Sequence, residues 1–517
     1  MKPSTELFKL IKSLSKSEKR FFKLTSSLQS GDKNYVKIFD SIDAQVEYDE
    51  EGLKEQFKDE KFIKHLSSEK NHLYKLILKS LRSYYSEDSV TSILKQEIKN
   101  IEILFNKALY KECEKFIIRA KKIAEESEKF YYWSEIISWE KKLIEEGLQE
   151  NFSNERLKSL VQEEEMVIQK LRNLAEYHII YSKINNIFRS GGFIRSEQEE
   201  KEVEEIADHH LIKDKNTALS IRASSICYYI KGLCAATNRN FADSYLFFNK
   251  TKEILDSNVI IKADLNTRYV QTLSFLLRCY IDGEQFDKAS GLIVELKKLS
   301  STKGFNNVNT EVRIHSNAYQ MELLMLQRQG KFQEAIRVIH KLDEFVKEHE
   351  EILSKEQIVL FTYYKCVTYF AIGELKKSLA LINNVLNDNE QMIRKDIYGF
   401  ARIFNLILHY ELGNYDFTDY VIKSINRYLS KQDRASATEH LLIKGIRKLS
   451  KNIKEEEVLT VLQEMTKEFQ AMKTDRREGV ILEYFNLEAW LQSKLNKTSY
   501  AVEIQQLLKT NSSTNIN

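Results

Sequence analysis

The chain has 517 residues, a net charge of +3, 42% apolar and 30% charged residues, 15 glycines and one proline, Pro3. Average usage is about 7% glycine and 5% proline, so this scarcity of breakers excludes a turn-rich β fold and points to an all-α chain. At this charge no global field selects nucleic acid or membrane, and the length exceeds the roughly 250–300 residues at which one core stops growing, so domains or repeats are expected.

The opening "MKPSTELFKLIKSLSKSEKRFF" lacks the apolar core of a signal peptide, so none is expected. No apolar run approaches the ~20 residues of a membrane span. Residues 1–95 are expected to form a small helical bundle. "SLSKSEKRFFKL" begins a helix with Ser15 as N-cap and Glu18 as its reciprocal partner. "NYVKIFDSI", "EEGLKEQF" and "SSEKNHLYKLILKSLRSYY" supply further helices. The charge here is uneven: residues 1–39 carry nine Lys/Arg against three acids, and residues 61–85 carry six against one. The ordinary reading is a solvated helical face; an acidic protein partner or nucleic acid is the alternative.

From residue 96 a short pattern recurs. "QRQGKFQEA" sets Gly330, then Phe332, then Ala335. The same large and small residues stand at Tyr110 and Cys113, Phe193 and Ser196, Phe241 and Ser244, Phe286 and Ala289, Leu375 and Ser378, Tyr415 and Thr418. The large residues at 241, 286, 332, 375 and 415 are 45, 46, 43 and 40 apart. Weaker breaks fall at Phe152, Ile453 and Thr498. Seven positions beyond the large residue stand Ile117, Phe248, Ile293, Ile339, Ile382 and Ile422, all apolar. Each break is expected to end one helix, often at a left-handed glycine, and to start a second. Phe332, Leu375 and Tyr415 should begin second helices and be buried. Ser354 with Gln357 and Ser436 with Glu439 read as capping boxes that open first helices.

The G-x-F-x-x-A pattern with an apolar residue seven beyond resembles the central part of the tetratricopeptide repeat. Tyr228, Tyr319, Gly232, Tyr280 and Tyr369 match other family positions loosely, while the family's closing proline is absent. The resemblance covers residues 96–510, before a tail at 511–517 expected to be disordered. It implies a right-handed α-solenoid of about 8–10 hairpins, with a period of about 43 rather than the family's 34. The family's inward positions then fall on Tyr229, Gln271, Arg278, Asn317, Gln320, Gln327, Tyr363, Phe370 and Tyr410 as a candidate groove for an extended peptide or partner helix.

Motifs of phosphate, dinucleotide, serine-hydrolase and zinc-protease chemistry are missing from the sequence. His209 and His210 read as a surface pair, and Cys227 and Cys234, seven apart, as packing residues without further zinc ligands nearby. Neither cofactor nor metal is expected. The five cysteines show no CxxC spacing, which suits reduced, buried thiols and a cytoplasmic location. The Lys, Ile and Asn bias fits an AT-rich bacterial gene. The expected function is a non-enzymatic scaffold or adaptor binding a protein or peptide segment. The alternative is a bacterial regulator, with an N-terminal effector bundle acting on nucleic acid or a signalling protein and the repeats as ligand sensor.

Overall fold

The structure, a computed structural model, describes residues 5–27, 34–146, 154–194, 196–214, 217–387, 394–432, 436–451, 454–475 and 477–514. Among them are 26 α-helices, three short 3-10 helices and no strand. The chain forms two compact units, 1–161 and 162–517.

In the first unit the helices are α1 (Glu6–Ser13), α2 (Lys16–Ser27), α3 (Asn34–Ala44), α4 (Glu50–Gln56), α5 (Leu66–Tyr84), α6 (Val90–Asn106), α7 (Tyr110–Glu126) and α8 (Phe130–Glu145). Helices α1, α2 and α3 pack on α5 around Ile11, Phe22, Phe39, Ile42, Leu73 and Ile77. The cap of α2 forms as expected: Ser15 N–H donates to Glu18 at 2.6 Å, and Glu18 N–H donates to Ser15 Oγ at 3.3 Å. Helix α7 packs on α6 and α8. The long helix α9 (Asn154–Gly191) begins in this unit and ends in the next.

The second unit continues with α10 (Glu197–Asp208), α11 (His210–Lys213), α12 (Ile221–Thr237), α13 (Phe241–Asp256), α14 (Val259–Asp264), α15 (Asn266–Asp282), α16 (Phe286–Lys298), α17 (Val308–Arg328) and α18 (Phe332–Glu348). Then come α19 (Lys355–Ala371), α20 (Leu375–Leu386), α21 (Lys395–Glu411), α22 (Tyr415–Gln432), α23 (Ala437–Leu449), α24 (Glu455–Met472), α25 (Leu487–Leu495) and α26 (Tyr500–Thr514). From α12 onward they pack as pairs: α12 with α13, α15 with α16, α17 with α18, and so on to α25 with α26. The first helices also touch in series, α15 to α17 to α19 to α21 to α23.

Local chemistry explains these pairs. Gly330, Gly373 and Gly413 hold φ of 68°, 83° and 72°, the left-handed turn that ends a helix. In the equivalent turns Ala108, Arg239 and Glu284 adopt φ of 57°, 57° and 55° without glycine's advantage. Two residues after each of these six positions a second helix begins, at Tyr110, Phe241, Phe286, Phe332, Leu375 and Tyr415. The small residues Cys113, Ser244, Ala289, Ala335, Ser378 and Thr418 are all buried, where the two helices of a pair close on each other. Ile117, Phe248, Ile293, Ile339, Ile382 and Ile422 are buried as well; each such side chain contributes roughly 1.5–3 kcal/mol of apolar burial. Both capping boxes, Ser354–Gln357 and Ser436–Glu439, are present.

Three expectations need correction. Tyr415 begins α22 but is 47% exposed, and Leu375 is half-buried. The difference from Phe332, 3% exposed, lies in what covers each: Phe332 belongs to the apolar core, with the Tyr500 ring of α26 at 5.9 Å, whereas Tyr415 lies outside that core with the Tyr410 ring at 5.9 Å. Phe193 begins no helix; it follows α9, and α10 starts at Glu197, capped by Ser196. Phe152, Ile453 and residues 515–517 of the expected tail lie outside the described residues; α26 itself runs to Thr514.

Candidate functional site

The nine candidate groove residues fall on first helices of the second unit. Tyr229 is on α12, Gln271 and Arg278 on α15, and Asn317, Gln320 and Gln327 on α17. Tyr363 and Phe370 are on α19 and Tyr410 on α21. Tyr229, Gln327, Tyr363 and Phe370 are buried; the other five are half-buried. Gln327 ties α17 to α19 by donating to the Tyr364 carbonyl at 2.8 Å and to Thr368 Oγ1 at 2.9 Å.

The downstream members meet the chain's own C-terminal segment. Arg278 donates to Glu483, and Tyr363 donates through its hydroxyl to the Tyr484 carbonyl at 3.3 Å. The Phe370 ring lies 5.5 Å from Phe485 and 5.6 Å from Tyr500, which stack on each other at 5.1 Å. Tyr410 packs edge-on against Trp490 at 6.2 Å. Trp490 in turn donates to Glu411 at 2.7 Å. This half of the candidate groove is thus filled from within.

Glu483 is the polar centre of that contact. Its side chain is 5% exposed. Arg239 donates to it at 3.2 and 3.1 Å, Arg328 at 3.4 Å, and Arg278 joins from α15. Arg278 also donates to Asp282 at 2.7 Å. Burial on its own would lift the Glu483 carboxyl, but the three guanidinium groups outweigh it and hold the group below its usual 4.5. Burial raises Asp282 despite Arg278. A cavity of about 220 Å³ has a mixed lining, with Arg239, Asp282, Arg328 and Glu483 as well as Phe286 and Leu507.

The upstream members are not covered in this way. Tyr229 donates to Gln271 Oε1 at 3.3 Å and packs on Tyr181 at 5.9 Å. Asn317 makes no side-chain hydrogen bond among the described residues. Three arginines not singled out from the sequence stand beside them. Arg222, buried, pairs with Asp264 at 2.5 Å. Arg268, half-buried, makes one hydrogen bond, to Ser225 Oγ at 3.1 Å. Arg313, half-buried, makes neither hydrogen bond nor ion pair among the described residues. Arg268 and Arg313 both act electrostatically on the Tyr229 hydroxyl. Burial lowers the Arg268 guanidinium to about 10, and Arg222 adds to the shift. Burial, reinforced by Arg268 and Arg222, also lowers His178 on α9. A sequence signal for two of them exists: Arg222 and Arg313 stand nineteen residues before Phe241 and Phe332, one repeat-equivalent place, and Arg268 lies one position off it, eighteen before Phe286.

In the first unit, part of the basic charge is neutralised internally. Lys19 pairs with Asp43, Lys23 with Asp40, Lys37 with Glu60, and Lys70 with Glu50. Lys16, Arg20, Lys75, Lys79 and Arg82 are exposed. Cys227 and Cys234 are buried, the His209 and His210 rings stack at 4.5 Å, and the described residues hold no group of three or more potential metal ligands. No helix among the described residues is long and apolar enough to cross a membrane.

No family model matches the chain, and no curated protein matches it.

Proposed function

We propose that the chain is a non-enzymatic adaptor: a right-handed array of tetratricopeptide-like hairpins, of period about 43, whose first helices bind a protein or peptide segment. One observation carries the reading. Gln271 and Asn317 hold the same place in successive first helices, fifteen residues before Phe286 and Phe332, and both are half-buried. Amides repeated in register suit an extended peptide, whose own amides also repeat. Tyr181 and Gln320, both half-buried, supply neighbouring aromatic and amide surface. The aromatic contacts of Tyr363, Phe370 and Tyr410 support the same reading from the other side, because here a segment of the chain itself lies against the first-helix face. Five free cysteines, four of them buried, accord with a reducing, cytoplasmic setting.

Affinity purification of the full chain from its source cell, followed by mass spectrometry, tests the reading. The expected result is a protein partner whose binding maps to a short segment. Turnover of a small molecule with no protein or peptide captured contradicts it.

A further inference from the structure

The first helices α12, α15 and α17 each have an arginine at both ends. In the last turn or just past it, Arg278, Arg328 and Arg239 converge on Glu483. Near the N-terminal ends stand Arg222, Arg268 and Arg313. Of this second set Arg222 pairs with Asp264, while Arg268 and Arg313 form no ion pair among the described residues. We infer that the N-terminal ends of α12, α15 and α17 form a carboxylate-binding site for an acidic peptide segment. The inference rests on the groove reading above and adds the chemistry of the ligand.

Three physical arguments support it. First, arginine in the opening turn of a helix is electrostatically unfavourable, because the exposed N–H groups already carry positive partial charge. Arg222 and Arg268 are the second and third residues of α12 and α15. An anion seated there meets guanidinium and helix N-terminus together, so the cost disappears on binding. Second, the donors of Arg268 and Arg313 are largely unused. Arg268 spends one on Ser225, and Arg313 spends none among the described residues. A guanidinium fork matches a carboxylate with two parallel hydrogen bonds. Third, the chain solves the same problem at the other end of the same helices, where the ligand of three arginines is a glutamate carboxylate.

The charge pattern favours a peptide over a nucleic acid. Nineteen residues before Leu375 and Tyr415, the place that Arg222 and Arg313 hold in their own first helices, stand Glu356 and Asp396. Glu356 pairs with Arg189 at 2.8 Å, and Asp396 with Arg394 at 2.6 Å. A phosphate backbone running along the face would pass from Arg268 and Arg313 onto places where carboxylates already occupy the neighbouring guanidinium groups. A peptide with an acidic stretch at one end would not, and the amides of Gln271 and Asn317 lie beside the arginine set to bind its backbone.

The test is selection from a displayed library of random twelve-residue peptides against the full-length protein, followed by titration of selected peptides. Binding is measured to wild type, to Arg268→Gln, to Arg313→Gln, and to Gly291→Ala as a control on an open helix surface. The expected ligands are enriched in Asp and Glu. They should bind either arginine variant about tenfold or more weakly, bind the control normally, and weaken as salt rises. Circular dichroism confirms that each variant keeps its helix content. Selected peptides without acidic enrichment, or acidic peptides that bind both arginine variants as they bind wild type, overturn the carboxylate site while leaving the groove reading standing. No peptide selected at all overturns both. Tight binding of a twelve-nucleotide single-stranded RNA, lost in Arg268→Gln and not displaced by acidic peptide, assigns the site to phosphate and overturns the peptide proposal.

Discussion

Arg239 and Glu483 are 244 residues apart in the chain and meet through two hydrogen bonds of 3.2 and 3.1 Å. Arg239 sits in the left-handed turn between α12 and α13, and Glu483 precedes α25. Their contact, shared with Arg278 and Arg328, fastens the C-terminal hairpin onto first helices far upstream. Glu483→Gln removes one carboxylate from three recessed guanidinium groups and leaves only Asp282 nearby. Breaking such a buried pair costs about 3–5 kcal/mol. Urea unfolding should show this loss, and limited proteolysis should cut residues 473–514 faster. The sign with pH follows from the depressed carboxyl. Its contribution is complete above the unfolded value of 4.5 and is lost as pH falls through the lower folded value. Glu483→Gln should therefore remove part of the acid sensitivity of the wild type.

Ala335 is fully buried where α17 and α18 close on each other. Ala335→Leu should overpack the pair and cost roughly 1–3 kcal/mol. Ala335→Ser should be mild, because Ser244 and Ser378 fill the same place elsewhere. Damage in stacked hairpins stays mostly local. Unfolding of both variants beside wild type checks this, and a Leu variant as stable as wild type would mean that the helices are not in close contact there.

Gly232 and Gly291 make a matched pair. A Cβ at Gly232 would stand 2.8 Å from the Phe248 ring, whereas one at Gly291 meets nothing within 4 Å. Both lie inside helices, where Ala is intrinsically better than Gly by about 1 kcal/mol. Gly291→Ala should therefore stabilise by up to that amount. Gly232→Ala should destabilise, since moving a fully buried ring outweighs the propensity gain. Opposite shifts in urea midpoint are expected, and equal shifts would remove the close approach of α12 to α13.

Stability should also fall in mildly acidic solution. Burial lowers His315 and His409 below 6.5. As pH drops below 6.5 the unfolded chain takes up these protons before the folded one does. The stability held above that value is thus lost progressively through the lower folded values. Thermal unfolding between about pH 8 and pH 5 should show the decline, and replacing both histidines by Gln should flatten it.

The helix starts were legible because they are local. A left-handed residue, then a large residue two on and a small one three further, is a complete physical instruction within a few positions. Where glycine is not used the signal thins. Glu128 adopts φ 50° two residues before Phe130 starts α8, with Trp133 where the small residue stands elsewhere, so that turn has no mark in the sequence pattern. Burial was less legible, because Tyr415 and Phe332 look alike locally, and which of them residues such as Tyr500 cover is set by packing distant in sequence. The same limit applies to the candidate groove. Tyr363 and Phe370 carry repeat register, yet their neighbours Tyr484 and Phe485 lie over a hundred residues away. Arg222 and Arg313 share a repeat place in the sequence and Arg268 lies one position off it, but Arg268 and Arg313 become noteworthy only once the structure shows that they pair with no carboxylate among the described residues.

Hydrogen exchange of the full-length protein, with and without a selected peptide bound, tests the central claim most directly. The account predicts that exchange slows chiefly in the opening turns of α12, α15 and α17. Slowing confined to the second helices α13, α16 and α18, or to residues 1–161, would contradict it.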